Sequence, residues 1–416
     1  MTEKLLINLV GDGAVRLWGL SGRERLQRML AETGSAFRIV ENLSALPETA
    51  RVLLINANYL YDGRVLGALL SFDTLTALVT DDGHPVAILG LASMANMMQT
   101  VLEGEAPVPD ALAKKKLADI QIGMQQTLKK KDFPYVFPVS EANRVALERE
   151  LFAASYKGVT DLVTKWLWPL PASLVTSLCV RLGLQPNHVT ILSLVFAILA
   201  GWAFWEGEFG LGLLLGWLMT FLDTVDGKLA RVTLTSSKAG DILDHGLDIV
   251  HPPLWYWAWG AGVMSTVTPL AEFELLIWLM FLGYVGGRLC EGAFQLWLAP
   301  FDLFIWRKAD SFNRLITARR NPNLLMLTTG WLAGRPDIGL LLVICWHLLS
   351  TLILVVRLVM AWREHTRAGM LHSWMEPIDP VQNRDQLAVR VFTRVPLARR
   401  YDKTDPNLFN GTSGNS

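Results

Sequence analysis

The chain has 416 residues, of which 51% are hydrophobic and 18% are charged, and its mean hydropathy is +0.32. Its 38 basic and 38 acidic residues leave no net charge, which argues against a protein that binds nucleic acid through its overall charge. Apolar residues concentrate after about residue 170, so we expect a soluble N-terminal part and a membrane part.

The first 105 residues alternate short apolar runs with a helical pattern. The order of strand, glycine-containing loop, helix and strand favours a parallel α/β layer. The predicted elements are strands at Lys4–Val10, Arg51–Ala57, Thr76–Val79 and Pro85–Leu89 and a helix at Arg23–Thr33.

The loop Gly11-Asp12-Gly13 after the first strand faintly resembles the opening of sugar-nucleotide nucleotidyltransferases, where backbone N–H groups hold nucleotide phosphates. The chain departs from that family at two places. Gly22-Arg23-Glu24-Arg25 stands where a Pro-Lys setting is expected, and Asn56-Ala57-Asn58 stands where a metal-binding Asp is expected. The resemblance implies a degenerate relative retained for structure, binding or regulation. An active cytidylyltransferase and an unrelated α/β domain are the alternatives.

Residues 106–150 are predicted to be a basic helical linker, because Lys114–Lys116 and Lys129–Lys131 bracket a stretch with helical spacing. This stretch is either a solvated helix or a surface for anionic lipid headgroups. Tyr156–Leu184 is interrupted by prolines and is predicted to be a helix at the membrane interface.

The second half of the chain contains six apolar runs near the length of about 20 residues that a bilayer needs. Basic residues gather between Arg307 and Arg320, at the second and third runs and after the last one, so the positive-inside rule predicts cytoplasmic termini. The predicted spans are Val189–Trp205, Gly210–Ala230, Leu243–Val263, Leu275–Leu296, Leu324–Leu332 with its flanks, and Ile338–Trp362.

Four carboxylates lie within or beside the second and third spans. Asp223 and Asp226 are three residues apart and Asp244 and Asp248 four apart, so each pair lies on one face of its helix. An ionised group at membrane depth costs about 2.5–3.5 kcal/mol, so such residues normally have a function and a partner. Two facing pairs would surround two divalent cations.

These residues complete the pattern D-x-x-D-G-x-x-A-R-x8-G-x-x-x-D-x-x-x-D, which resembles the signature of the CDP-alcohol phosphotransferase (CDP-alcohol phosphatidyltransferase) family. The resemblance covers roughly residues 150–365, and the membrane domain is expected at residues 151–368. It implies an integral membrane enzyme that displaces CMP from a CDP-linked alcohol by the hydroxyl of a second alcohol.

By the same resemblance, Asp223 and Asp244 would touch both of two Mg²⁺ ions, Asp226 one and Asp248 the other, with Mn²⁺ as a substitute. Asp248 would also accept the proton of the attacking hydroxyl. The family implies that the nucleotide is bound at Gly227, Ala230, Arg231, Ser237 and Gly240.

Pro186-Asn187-His188-Val189-Thr190 resembles the family's Pro-Asn-x-x-Thr segment that encloses cytidine. Asn187 is either part of that enclosure or a helix cap. Asp241 lies on the same helical face as Asp244 and Asp248 but outside the signature, so a helix-start residue is favoured over a fifth ligand. For His245 and His251, structural roles are favoured over metal binding because carboxylate-rich sites prefer magnesium or manganese.

In the fourth span, Arg288 and Glu291 are expected to pair, with Arg288 facing an acceptor's phosphate as the alternative. The three loop arginines Arg314, Arg319 and Arg320 could face the same phosphate, although the positive-inside topology already explains them.

The sequence therefore predicts a multi-domain protein: an N-terminal α/β domain followed by an all-α membrane domain of six helices. The expected donor is CDP-diacylglycerol and the expected acceptor a small polyol or polyol phosphate, in a bacterial inner membrane with a cytoplasmic site. A soluble donor such as CDP-inositol is the alternative within the class. An ion-coupled transporter is the alternative outside it, although no internal repeat is evident. A homodimer is expected from the family alone, and residues 369–416 are predicted to be a polar tail, disordered beyond Asp405.

Overall fold

The computed structural model describes residues 5–34, 36–120, 123–236 and 238–394, without the side chains of residues 238, 239, 241–245 and 247. The described chain forms two compact units. The N-terminal unit comprises residues 5–123 and 132–154, and the membrane unit comprises residues 124–131 and 155–394.

The N-terminal unit contains eight strands and four helices, and each predicted element of the first 105 residues is present within a few residues of its predicted ends. The strands are β1 Leu5–Val10, β2 Phe37–Ile39, β3 Arg51–Asn56, β4 Tyr59–Tyr61, β5 Thr76–Val79, β6 Pro85–Leu91, β7 Ala113–Lys116 and β8 Val136–Pro138. The helices are α1 Gly22–Glu32, α2 Gly63–Leu70, α3 Ala95–Leu102 and α4 Arg144–Ala154.

The main sheet has six strands in the order β2-β1-β3-β6-β5-β7, and it is mixed rather than parallel. Strand β1 runs parallel to β2 and β3, whereas β6 is antiparallel to both β3 and β5. The difference from the expected parallel layer arises at the short connection between β5 and β6. That connection turns through Gly83 at φ +86°, a conformation that favours glycine, and so it forms a hairpin.

Strand β3 shows why this sheet is covered on both sides. Leu53 and Ile55 belong to a core cluster with Leu26 and Leu66 of α1 and α2, whereas Leu54 belongs to a second cluster that includes α3. Successive side chains of a strand point to opposite faces, so an almost continuous apolar run fits a strand buried on both faces.

Most of the stretch 106–150, predicted to be a basic helical linker, instead belongs to the N-terminal unit, whereas residues 124–131 with Lys129–Lys131 belong to the membrane unit. Lys114, Lys115 and Lys116 lie in β7, which pairs parallel with β5 at one edge of the sheet. A run of lysines suits an exposed edge strand, because backbone pairing uses one side while the charges oppose further strand addition.

The membrane unit is helical. Its helices are α5 Pro169–Arg181, α6 Pro186–Trp205, α7 Phe209–Thr233, α8 Lys238–Met264, α9 Phe273–Trp297, α10 Lys308–Ile316, α11 Arg320–Leu332, α12 Pro336–Ala368 and α13 Leu387–Phe392.

Four of the described helices, α6, α7, α9 and α12, are long and apolar enough to cross a membrane. The prediction of six spans is not confirmed. Helix α11 has 13 residues, a length of about 20 Å at 1.5 Å per residue, which is shorter than a bilayer core. Helix α8 has 27 residues, but part of it carries side chains outside the described set.

Helix α5 has the pattern of an amphipathic helix at a membrane surface. Leu170, Leu174 and Leu178 are exposed on one face, whereas Ala172 and Thr176 are buried on the other. Such a pattern fits the interfacial helix that the sequence predicts before the first span.

The chain after α12 packs back onto the membrane unit as far as residue 394. Met375 and Phe392 are fully buried in one core cluster with Trp306. The indole N–H of Trp374 donates to the hydroxyl of Ser311 at 3.0 Å. The disorder predicted beyond Asp405 lies outside the described residues.

Candidate active site

The candidate site is a cavity of about 300 Å³ in the membrane unit, lined by four residues of the signature, Asp223, Gly227, Arg231 and Asp248. Its described lining contains eight basic side chains against three acidic ones, so the cavity suits an anionic ligand. The basic side chains are Lys129, Lys157, Lys228, Arg231, Arg288, Arg314, Arg319 and Arg320.

One arginine joins the two signature helices. The Arg320 guanidinium donates through Nη1 to Asp248 Oδ1 at 2.6 Å and to Asp223 Oδ1 at 3.2 Å, and through Nη2 to Asp223 Oδ2. Carboxylates from α7 and α8 therefore converge on one positive group. The side chain of Asp223 is 16% exposed and that of Asp248 is 45% exposed, so Asp248 is the more exposed of the two.

Arg320 reaches both carboxylates because its helix is fixed one turn further on. Asn323, fully buried, donates through Nδ2 to the Tyr256 hydroxyl of α8 at 2.7 Å and lies 2.8 Å from His347 Nε2 of α12. A side chain on a helix leans towards the N-terminus, so Arg320 extends from this anchored turn towards Asp248.

The third described carboxylate of the signature is held from α6. The Thr190 hydroxyl donates to Asp226 Oδ2 at 2.7 Å, and both residues are buried. The Pro-Asn-x-x-Thr segment and the acidic signature are thus joined by a direct hydrogen bond. Asn187 itself is exposed, and Gln185 rather than Asn187 is the N-cap of α6, so the helix-cap interpretation of Asn187 is wrong.

Two basic residues of α7 border the cavity beside Gly227. Lys228 Nζ and Arg231 Nη1 both donate to the Ser155 carbonyl at 3.2 Å, and Lys228 also lies over the Tyr156 ring. A Cβ atom built on Gly227 would stand 3.5 Å from the Arg231 guanidinium, so the glycine leaves room beside that charge.

A second group of arginines comes from α9, α10 and the start of α11. Glu291 pairs with Arg288, three residues before it, at 3.8 Å, as expected from the sequence. It also pairs with Arg319. Arg314 is the third arginine of this group that lines the cavity.

Asp161 is a cavity residue that the sequence analysis did not single out. Its Oδ1 accepts from Asn321 Nδ2 at 3.0 Å, next to Arg320 in the chain, and from the backbone of Thr164. Burial alone would raise its pKa, but Arg314 and these hydrogen bonds outweigh burial and hold the pKa below its usual value. Asp161 lies in the segment Tyr156–Leu184, which was predicted to be an interfacial helix, and no sequence motif there indicated a site residue.

The remaining predicted site residues are either absent from the described cavity lining or lie outside the described residues. Ala230 and Gly240 are absent from the described lining. Ser237 and the side chain of Asp244 lie outside the described residues, as do the side chains of Asp241 and His245. His251 is buried and its ring packs against Trp255.

The described carboxylates of the signature are ligands of the type that magnesium binds, although they do not form a cluster of three. Among the described residues, no group of three or more His, Cys, Asp or Glu side chains stands close enough to hold a metal. Asp223 and Asp248 nevertheless already share one cationic partner, and hard carboxylate oxygens are the ligands that magnesium prefers. The two residues would hold a divalent ion in common.

The glycine-containing loop of the N-terminal unit is hydrogen-bonded to its own chain. The Gly13 amide donates to Asn58 Oδ1 at 3.0 Å, and Arg23 donates to the carbonyls of Gly11 and Leu9. Asn56, at the position of the expected metal-binding Asp, donates to the Leu102 carbonyl at 3.1 Å. These polar groups are satisfied within the unit.

Comparison with known proteins agrees with the geometry of the membrane unit. Residues 184–299 match the family model of the CDP-alcohol phosphatidyltransferases. They include the whole signature and the Pro-Asn-x-x-Thr segment. This part of the chain belongs to the CDP-alcohol phosphatidyltransferase family.

Curated relatives of this phosphatidyltransferase region are named as transferases or synthases. Cholinephosphotransferase 1 of Danio rerio is 28% identical over 36% of this chain and 39% of its own. The bifunctional IPC transferase and DIPP synthase of Rubrobacter xylanophilus is 29% identical over 38% of this chain and 33% of its own. Archaetidylinositol phosphate synthase of Pyrococcus horikoshii is 38% identical over 16% of this chain and 36% of its own. The chain thus spans less than two fifths of each relative's length.

With four described helices long and apolar enough to cross a bilayer, the chain is an integral membrane protein.

Proposed function

We propose that this protein transfers a phospho-alcohol group from a CDP-linked donor to the hydroxyl of a second alcohol and releases CMP. The observation that carries the proposal is the convergence of Asp223 and Asp248 in a basic cavity at the family's signature. The positive charge suits a donor pyrophosphate, and the carboxylates suit the ions that accompany it.

Residues of α7 bind the donor in this proposal. Arg231 and Lys228 face the pyrophosphate oxygens, and Gly227 lets the nucleotide approach the helix. Two magnesium ions would be held by Asp223, Asp226, Asp244 and Asp248. When bound, such ions neutralise the charge of the pyrophosphate. Ala230, Ser237, Gly240 and Asn187 would complete the nucleotide site, as the family resemblance implies.

Asp248 receives the proton in the chemical step. The acceptor oxygen forms a bond to the donor's alcohol-bearing phosphorus, the bond from that phosphorus to the CMP oxygen breaks, and CMP leaves with the electron pair. The acceptor's hydroxyl proton passes to Asp248. Its exposed fraction of 45% against 16% for Asp223 favours this role, because the base must meet an incoming hydroxyl.

The second arginine group supports an acceptor that carries a phosphate. Arg288, Arg314 and Arg319 line the cavity, and Glu291 balances only part of their charge. A phosphorylated polyol matches this excess of positive charge better than a neutral alcohol does. We therefore favour a CDP-linked lipid such as CDP-diacylglycerol as donor and a polyol phosphate as acceptor. The positive-inside pattern favours a cytoplasmic site in a bacterial inner membrane.

Purified full-length protein in lipid nanodiscs tests the reaction. CDP-diacylglycerol and CDP-inositol are each supplied with neutral and phosphorylated acceptors, and CMP release is measured with and without magnesium. We expect magnesium-dependent CMP release that is greatest with a phosphorylated acceptor and is abolished in Asp248→Asn. Asp337→Asn is the matched control, because Asp337 is buried and paired with Arg335 but does not line the cavity. No CMP from any CDP-alcohol, together with ion flux into sealed proteoliposomes that contain the protein, would favour a transporter instead.

The N-terminal unit, in this proposal, does not activate CTP. Its loop amide and the side chain at the expected metal position are both satisfied internally, which favours a degenerate relative of the nucleotidyltransferases. Full-length protein incubated with CTP, magnesium and candidate alcohol phosphates should release no pyrophosphate. Release that persists in Asp248→Asn would overturn this assignment.

A further inference from the structure

Helix α8 contains two adjacent prolines one turn after Asp248. Pro252 and Pro253 have no backbone N–H, so the carbonyls of Asp248 and Ile249, four residues earlier, lose their usual helical donors. A buried carbonyl without a donor is costly, most of all at membrane depth. The sequence therefore creates a gap in the hydrogen bonding of the turn that carries Asp248.

A tyrosine of the neighbouring helix closes that gap. The hydroxyl of Tyr284, on α9, lies 2.8 Å from the Ile249 carbonyl and 3.4 Å from the Asp248 carbonyl. Tyr284 is buried, so water does not readily substitute for its hydroxyl. The shorter distance identifies Ile249 as the main acceptor.

We propose that Tyr284 is a positioning residue that fixes the turn of α8 on which Asp248 stands. It acts through the backbone rather than on the substrate. The inference rests on the proposed role of Asp248 as proton acceptor, since a fixed turn matters to chemistry only if its carboxylate must be placed accurately. A shift of about 1 Å in a catalytic group can reduce a rate by about 100-fold.

The prolines provide a specific rescue. Tyr284→Phe removes only the hydroxyl and leaves the Ile249 carbonyl without it. Pro253→Ala supplies a backbone N–H to that same carbonyl and is compatible with a helix, because alanine is the best helix former. The double variant thus replaces a hydroxyl from α9 by an N–H from α8 itself.

We expect Tyr284→Phe to lower kcat by about 10- to 100-fold with the donor KM changed less than threefold. Adding Pro253→Ala should restore kcat to within about threefold of the original protein. The melting temperature should follow the same pattern, falling in Tyr284→Phe and recovering in the double variant. This second readout needs no turnover, so it tests the backbone pairing even if no CDP-alcohol proves to be a substrate and the proposed function fails.

Thr351→Val is the matched control. The Thr351 hydroxyl of α12 donates to the carbonyl of Gly283, the residue beside Tyr284, rather than to a carbonyl of α8. This variant should lower stability without lowering kcat, and Pro253→Ala should not rescue it. The proposal is overturned if Tyr284→Phe keeps its full kcat, or if Pro253→Ala leaves both kcat and melting temperature of the Tyr284 variant unrescued.

Discussion

The hydrogen bond between Thr190 and Asp226 makes a quantitative prediction about the acidic signature. Thr190→Val keeps the shape of the side chain but removes the hydroxyl that donates to Asp226 Oδ2 at 2.7 Å. A hydrogen bond to a charged group contributes about 1.5–3 kcal/mol. Because the Gly227 N–H also donates to Asp226, the carboxylate keeps a partner, and the lower end of that range applies.

A loss of about 1.5 kcal/mol corresponds to a fall of about tenfold in kcat/KM. CMP release at several magnesium concentrations measures it, and extra magnesium should recover part of the loss because Asp226 is a proposed ligand. Thr190→Ser is the control that retains the hydroxyl and should stay within about threefold of the original protein. Equal losses in the valine and serine variants would refute the reasoning, because packing rather than the hydrogen bond would then be responsible.

Three further predictions concern other parts of the membrane unit. Gly227→Ala should raise the donor KM about tenfold, measured by CMP release, because the added methyl group would take space beside Arg231 that the nucleotide is proposed to approach. Stability should rise by about 1 kcal/mol because alanine favours a helix; a lower stability would contradict this. Burial lowers the pKa of Lys165 to about 8 from 10.5. The unfolded chain therefore binds more protons between those values, so stability should rise with pH across that window, and thermal unfolding of Lys165→Met should show a flatter profile. Phe392→Ala should cost about 3–5 kcal/mol in denaturant unfolding, because Phe392 is 1% exposed in a core cluster; an unchanged midpoint would show that the segment is dispensable.

The strands β1, β3, β5 and β6 of the N-terminal unit were predictable because each is a short apolar run bounded by turn residues. Their directions were not predictable from the runs themselves. The hairpin at Gly83 and the pairing of the lysine-rich β7 with β5 depend on which strand edges meet, and hydrogen bonds between distant segments decide that.

In the cavity, too, the sequence marked some of the residues and only the structure revealed the others. Asp223 and Asp248 were marked by their spacing and by the cost of charge among apolar residues, but Arg320 was explained equally well by membrane topology. Asp161 and Tyr284 carried no local signal, since each acts through a contact with a helix far away in the chain.

The sequence by itself determined the family of the membrane part, because the signature fixes residue types and spacings that one or two helices can present without further information. Only the tertiary structure decided which positive group joins the two acidic helices, which hydroxyl holds Asp226, and what satisfies the carbonyls freed by Pro252 and Pro253. Those partners come from α6, α9 and α11. Their approach is set by the packing of whole helices, which no local spacing encodes.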